Sequence, residues 1–190
     1  PETRLTPREP AGAEAVKASA KRIAPRLKVL APEAEQSRRL TREGIDLVRD
    51  HGLFKTLQPE RSGGHQLTLR THLDVVSALS EGCVSTGWVV GVAHAHSWLI
   101  GPMSRQAQDD VYANNPNAFV AAVAGPRGKA VKHADGSFQL NGFWSSGSGS
   151  DYADWLMLGA DVVDENGQVE DWGDFLIPPG DIDNPDDWHS

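Results

Sequence analysis

The sequence predicts an α+β protein in which a helical region is followed by a region of short strands. Apolar residues recur at helical spacing as far as about residue 115. After Asn117 the pattern changes to short runs divided by turn residues. Because helices followed by strands are typical of an α+β arrangement, we expect a helical domain at residues 1–115 and a β-domain at residues 116–190.

Five segments predict the helices of the first domain. Pro25 should kink or divide the first of them. Thr41 is placed to cap the second, and residues 51–52 should end it. A fourth helix is expected at about residues 85–100, and a short polar fifth at residues 104–114. The apolar stripes that predict the first three helices are Val16, Ala20, Ile23, Leu27 and Leu30, then Gly44, Leu47 and Val48, then Leu69, Leu73, Val76 and Leu79.

Short apolar runs predict the strands of the second domain. They read FVAAVA, KAVKH, SFQLNGFW, DWLMLGADVV and DFLIP, and the segments PRG, ADG, ENGQ and PPG divide them. The pairs DG and NG are typical of hairpin turns. We therefore expect a sheet of short strands joined in part by hairpins.

Composition argues against several classes of function. The net charge of −8 and the pI near 5.3, without a cluster of Lys or Arg, argue against binding to nucleic acid or to an anionic membrane. Cys83 is the single cysteine, which excludes an internal disulfide and predicts a cytoplasmic location. No apolar run reaches the roughly 20 residues of a membrane helix. Because the chain starts at Pro1 and stops after DDWHS without a closing element, we expect a partial chain.

The fourth predicted helix carries polar and aromatic side chains on one face. Residues at spacings of three and four share that face, and they are Ser85, Trp88, Val92, His96 and Leu99. His94 lies roughly 200° around the helix from His96, so the two cannot ligate one metal together, and no metal site is expected. His96 is either a core or interface histidine bonded to backbone, or a functional imidazole.

The stretch GFWSSGSGSDYADW at residues 142–155 places four serines and two glycines after Trp144. One interpretation is a flexible linker. The stretch lacks the lysine of a phosphate loop, the third glycine of a dinucleotide fingerprint and the strand-to-helix context of a nucleophile elbow. The other interpretation is a backbone that can approach something flat and polar, with hydroxyl donors and an indole beside it. A flavin ring has those properties.

The order of these motifs resembles the acyl-CoA dehydrogenase fold, and more closely its flavin-dependent monooxygenase branch. The motifs are STGWV, AHSW, FVAAVAGPRGKA, DGSFQLNGFW, SGSDYADW and DFLIP. Members of that branch are the oxygenase components of two-component aromatic hydroxylases. The resemblance implies a helical domain, a middle β-domain and a C-terminal four-helix bundle that this chain lacks. It also implies a homo-oligomer built through that bundle.

The resemblance further implies which residues act. His96 matches the histidine that acts on the phenol, while Ser85, Trp88 and Val92 would shape the substrate pocket. Ser146 or Ser148 would lie near the flavin N5 atom as a catalytic hydroxyl. Ser146 stands where the family usually has an aromatic residue, and Tyr152 stands where it usually has histidine. The residues expected to contact the flavin are Ala122, Val123, Ala124, Gly125, Trp144, Ser146 and Ser148.

The implied reaction uses reduced FMN or FAD from a separate flavin reductase. Molecular oxygen forms a hydroperoxide at flavin C4a, and one oxygen atom is transferred to a phenolic or polycyclic aromatic substrate. Three alternatives remain open. They are an acyl-CoA dehydrogenase with bound FAD, an oxygenase of the same fold acting on nitrogen or sulfur, and a binding module without catalysis.

Overall fold

A computed structural model of the protein describes residues 11–164 and 166–183. The chain divides into two compact units, Pro1–Pro102 and Met103–Ser190. The first contains four of the helices, and the second contains a short helix and a sheet. The boundary between the two units lies before the fifth helix, whereas the sequence predicted that helix as part of the first domain. The predicted domain boundary at residue 115 stays a prediction.

The first helix, α1, spans Ala13–Ser37 and includes Pro25 and Pro32. Pro25 does not divide the helix, which continues through both prolines, and the alternative of a kink there stays a prediction. Each proline removes a backbone donor, and burial of one apolar side of the helix offsets that loss. That buried side includes all five residues of the predicted stripe, Val16, Ala20, Ile23, Leu27 and Leu30.

The next two helices begin at threonine caps. Helix α2 spans Arg42–Asp50, and Thr41 Oγ1 accepts a hydrogen bond from the Gly44 amide at 3.0 Å, as predicted. Short 3-10 turns follow at Leu53–Lys55 and Glu60–Ser62. Helix α3 spans Leu69–Ser80, and Thr68 caps it.

The predicted apolar stripe of α3 is partly wrong. Leu69 and Leu73 are 66% and 56% exposed. The helix instead buries the residues Thr71, Val75, Ala78 and Leu79 in its contacts with α1 and the next helix. Apolar residues occur on both sides of this helix, so their spacing alone did not identify the buried side.

Helix α4 spans Val84–Ile100, which confirms the predicted fourth helix. It packs against α3 and the Leu53–Lys55 turn. In the second unit, α5 spans Arg105–Tyr112, and the Ser104 hydroxyl caps it by accepting from the Ala107 amide. Within the described residues, no helix is long and apolar enough to cross a bilayer.

The sheet of the second unit has four strands in the order β2-β1-β3-β4. The strands are β1 (Val120–Lys132), β2 (Phe138–Gly142), β3 (Trp155–Val163) and β4 (Val169–Ile177). The pairs β1–β2 and β3–β4 are antiparallel hairpins, as the DG and NG turns predicted. Strand β1 runs parallel to β3. The expected break between FVAAVA and KAVKH is wrong, because both belong to β1 and PRG lies in an irregularity within that strand.

Candidate functional site

A wide bulge interrupts the pairing of β1 with β3. Val123 pairs with Leu158 and Gly128 pairs with Ala160, so residues 124–127 lie opposite Gly159 alone. Gly125 has φ +90°, which a glycine adopts without strain. A Cβ on Gly159 would clash with the Gly125 carbonyl, so the bulge depends on a residue without a side chain there. Part of the predicted flavin-contacting strand therefore leaves the regular ladder, as bulges near functional sites commonly do.

Trp144 fixes the chain that follows β2 to the sheet. Its Nε1 donates to the Gly159 carbonyl at 2.8 Å, at the position where the β1–β3 ladder is interrupted. Its ring packs against Gly128 and Gly142, where an added Cβ would collide with the indole. The half-buried Trp144 thus has a structural task, while its predicted contact with a flavin stays a prediction.

The serine-rich stretch is held at both ends. Trp144 anchors its start, and a short 3-10 turn at Ser150–Tyr152 leads to Asp154. The carboxylate of Asp154 accepts from the Phe119 amide at 2.8 Å, and its own amide donates to the Phe119 carbonyl at 2.8 Å. A flexible linker lacks such anchors, so this geometry favours the interpretation as a binding segment.

Within that stretch, the two candidate serines have different environments. Ser146 is exposed and has φ +68°, an uncommon backbone conformation for a residue with a side chain. Ser148 is half-buried. An added Cβ on Gly147, between them, would lie 3.5 Å from a methyl group of Val123. The structure therefore brings Val123 of the predicted set beside the serines, and an αL residue of this kind is a reason to suspect function.

The bulge and the Trp144 ring lie on opposite faces of the sheet. The Cβ direction of Gly128 points to Trp144, and Gly128 pairs with Ala160. The Cβ direction of Gly159 points to Gly125, and neighbouring residues of a strand face opposite sides. Trp144 and the Gly125 carbonyl therefore lie on opposite faces, so the predicted flavin contacts at residues 122–125 do not all share one surface.

A pocket of about 450 Å³ lies beside the bulge and is lined by Ala124, Gly125, Asp161, Trp172 and Asp174. Three of these residues were missed in the sequence. Asp161 pairs with Trp172 across β3 and β4, and Asp174 lies two residues further along the strand on the same face. The alternation of Trp172 and Asp174 was visible, but their proximity to Gly125 depends on strand order.

In the helical unit, the predicted face of α4 is the face that its neighbours leave uncovered. Trp88 is 62% exposed, Ser85 is exposed, and Val92 and His96 are half-buried. The opposite side is buried, and it includes Val90, Ala93, His94 and Ile100. His96 is thus not a core histidine, and an interface histidine and a functional imidazole both stay open for it. Its predicted action on a phenol stays a prediction.

His94 is the core histidine of this helix. It is 0% exposed, and its Nε2 lies 2.5 Å from the Leu53 carbonyl oxygen. Burial lowers the pKa of His94 to about 3. Among the described residues, no group of three or more His, Cys, Asp or Glu side chains could hold a metal ion. The two histidines of the HxH pattern therefore have separate environments, as their helical spacing predicted.

Comparisons with known proteins identify relatives of this chain. The oxygenase subunit HsaA of a flavin-dependent monooxygenase from Rhodococcus jostii is 34% identical over 88% of this chain and 43% of its own length. The oxygenase component of p-hydroxyphenylacetate 3-hydroxylase from Acinetobacter baumannii is 31% identical over 88% of this chain and 39% of its own. XiaF from Streptomyces sp., solved with FADH2 and glycerol, superposes with a TM-score of 0.89 at 29% identity.

The XiaF match covers 94% of this chain and 45% of that protein, so the chain spans less than half the length of these relatives. It also confirms the predicted order of a helical region and then a sheet. Residues 11–113 match the family model for the acyl-CoA dehydrogenase N-terminal domain. Since this match covers more than half of the sequence, the chain belongs to the acyl-CoA dehydrogenase family.

Proposed function

We propose that this chain forms the helical and β-domains of an oxygenase component that hydroxylates a phenolic or polycyclic aromatic compound with reduced flavin. The observation that carries the proposal is the serine-rich stretch, anchored at Trp144 and Asp154 and lying beside Val123. The relatives named as oxygenase components of flavin-dependent hydroxylases support it. An acyl-CoA dehydrogenase is the principal alternative.

The residues around the bulge fit a flavin in chemical terms. An added Cβ on Gly125 meets no atom within 4 Å, so open space lies beside that backbone. On the serine-rich stretch, Ser146 offers an exposed hydroxyl, and such neutral donors suit the polar edge of an isoalloxazine. Asp161 and Asp174 disfavour a phosphate in the Gly125 pocket. Because Gly125 opens on the opposite face of the sheet from Trp144, the residues that would hold the ring of FMN or FAD are Val123, Ser146 and Ser148.

Bound reduced flavin supplies the activation of molecular oxygen. The task of His96 is to accept the proton of the substrate hydroxyl, because a phenolate is the better nucleophile. A phenol has a pKa of about 10 and a histidine about 6.5, a mismatch of roughly 5 kcal/mol at 1.36 kcal/mol per unit. His96 therefore moves this proton partially in the transition state, or the substrate is an unusually acidic phenol.

The other residues of the α4 face exclude water from the reaction. Trp88 and Val92 present apolar surface, and a dry pocket favours transfer of oxygen to the substrate over release of hydrogen peroxide. Ser85 contributes a hydroxyl at the same face.

The partners follow from the proposed reaction. A separate flavin reductase would supply the reduced flavin, as the name oxygenase component indicates for the relatives. We also propose a homo-oligomer in the cytoplasm. The single cysteine, Cys83, is buried and reduced, which is compatible with a reducing compartment.

The decisive experiment mixes the full gene product with reduced FMN or FAD, then adds oxygen and a panel of phenols. We expect hydroxylated product from at least one phenol, measured by mass spectrometry with labelled oxygen. Reduction of an electron acceptor by an acyl-CoA, without hydroxylation, would identify an acyl-CoA dehydrogenase. Hydroxylation confined to nitrogen or sulfur substrates would identify the other oxygenase class. Failure to bind any flavin would favour a binding module.

Ser146→Ala and Ser148→Ala separate the two candidate serines. A hydroxyl beside flavin N5 controls the proton whose movement releases hydrogen peroxide, so we expect one variant to produce more peroxide per product. The second variant serves as the control, since both remove one hydroxyl from the same stretch. Unchanged ratios of peroxide to product in both would refute the assignment of either serine to N5.

A further inference from the structure

His72 and His94 form a side-chain pair inside the helical unit. Their Nδ1 atoms lie 2.8 Å apart, and their ring centroids are 5.1 Å apart at an interplanar angle of 66°. His94 is fully buried on α4, whereas His72 on α3 is half-buried. The second ring nitrogen of His94, Nε2, lies 2.5 Å from the Leu53 carbonyl oxygen. The pair thus connects α4 to α3 and to the Leu53–Lys55 turn.

These contacts fix the proton on each ring. A carbonyl oxygen only accepts, so His94 Nε2 must donate to Leu53. Because burial keeps His94 neutral, its Nδ1 carries no proton and accepts from His72 Nδ1. His72 therefore carries its proton on Nδ1. A further proton on His72 would enter at Nε2 and leave this bond intact, whereas a proton on His94 would set two N–H groups against each other.

Helix α4 needs such a directional contact. Its buried side includes Val89, Val90 and Ile100, but its exposed side carries Val84, Trp88 and Trp98, which are also apolar. Since the hydrophobic effect is non-directional, burial alone distinguishes poorly between rotations of this helix. A shift by one residue rotates the helix by 100° and would leave His94 without its two partners in a buried site. Unpaired buried polar groups are costly, so the hydrogen bonds select one rotation.

We propose that His72 and His94 are positioning residues whose fixed pair of hydrogen bonds sets the rotation of α4, and thereby the side chains on its exposed face. That face carries Trp88 and His96, so a catalytic consequence rests on the proposed function. The titratable groups that lower the pKa of His94 by their charge come from two neighbouring segments. They are His72 on α3 and His65 in the loop before α3, whose Nε2 lies 3.2 Å from the Gly52 carbonyl oxygen.

The test uses His72, because its half-exposed position tolerates substitution. His72→Asn retains an N–H donor near the Nδ1 position, and His72→Leu removes it at similar size. In the full gene product labelled with 15N, we expect the NMR spectrum of His94 to show a proton on Nε2 and none on Nδ1. We also expect no titration of His94 between pH 5 and 8. The opposite tautomer, or a titration near 6.5, would overturn the inference.

The two variants then report on the position of α4. In His72→Leu we expect the His96 NMR signals to shift and acrylamide quenching of tryptophan fluorescence to change, and in His72→Asn we expect both to stay near wild type. Unchanged signals in His72→Leu would also overturn the inference. Hydroxylation should fall several-fold in His72→Leu with flavin affinity unchanged. If the wild-type protein shows the expected His94 tautomer but hydroxylates no phenol, the proposed function fails and the positioning role stands.

Discussion

In the helical unit, α4 presents Trp88 and His96 on the face that its neighbours leave uncovered, whereas in the sheet unit the backbone at residues 124–127 leaves its ladder. The first arrangement depends on side chains, because His94 on the buried side holds the helix by two hydrogen bonds. The second depends on the absence of a side chain at Gly159, and Gly128 and Gly142 leave room for the Trp144 ring. Substitutions in the helical unit should therefore act by removing a functional side-chain group. Those at the glycines of the sheet unit should act by adding atoms where there is no space.

The largest effect is expected from His96→Ala in the helical unit. Loss of a general base lowers a rate by about 100- to 10,000-fold, so hydroxylation should nearly cease while flavin binding persists. Reducing equivalents should then appear as hydrogen peroxide, measured against product by a peroxidase assay. His133→Ala, at an exposed position between β1 and β2, is the matched control and should behave as wild type. Coupled turnover by the His96 variant would refute its role as a base.

The sheet unit should be most sensitive at Gly159. Gly159→Ala places a methyl group against the Gly125 backbone, which cannot move aside as a flexible side chain can. Such overpacking costs about 1–3 kcal/mol, and we expect the upper end. Gly173→Ala on β4 is the control, because an added Cβ there meets no atom within 4 Å. Urea unfolding followed by circular dichroism measures both, and equal stability of the two variants would show that the bulge adapts.

This contrast also explains how much could be predicted from the sequence. The bounds of α4 follow from local signals, since periodic spacing and the GP pair at residues 101–102 act within one segment. The buried side of α3 did not follow, because Leu69 and Val75 are both apolar and only packing distinguishes them. The bulge could not be predicted from the sequence either. Its cause is the register between β1 and β3, and residues such as Val123 and Leu158 are 35 positions apart in sequence.

The candidate site shows the same limit. Val123 and the serine-rich stretch were both singled out in the sequence, and the structure brings them close together at Gly147. The pocket residues Asp161 and Trp172 were missed because the antiparallel pairing of β3 with β4 brings them together. Trp144 was identified, but its bond to Gly159 could not be foreseen. Local patterns thus identify candidate residues, while strand order decides which of them meet.

The helical unit should also lose stability as the pH falls. The pKa of His94 is about 3 in the folded protein, against about 6.5 when unfolded, and burial also lowers the pKa of His72. Between these values the unfolded chain binds a proton that the native His94 does not, so stability decreases towards acid pH. At about 1.4 kcal/mol per pH unit below 6.5, His94 alone contributes about 2 kcal/mol between pH 7.5 and pH 5.0.

Urea unfolding at those two pH values measures this loss. His94→Gln keeps a donor for the Leu53 carbonyl and removes the titrating ring, so we expect it to be less stable at pH 7.5 but to vary less with pH. The lowered pKa values of Asp135 and Asp164 act in a more acidic window, below their usual values near 3.8, and do not contribute to this comparison. An identical pH slope in wild type and His94→Gln would contradict the assignment.

The smallest of these effects is expected at Trp144, where the sheet unit uses a side chain. Trp144→Phe removes the donor to the Gly159 carbonyl and the outer atoms of the indole that lie over Gly128 and Gly142. The loss of one hydrogen bond costs about 1 kcal/mol, and the lost ring contacts at this half-buried position add to it, so urea unfolding resolves the change. Trp172→Phe, at a 63% exposed position on β4, is the control and should not change stability. Because Trp144 anchors the serine-rich stretch, its variant should also bind flavin more weakly, by a few-fold in a fluorescence titration. Equal affinities of Trp144→Phe and wild type would show that the stretch keeps its position without this bond.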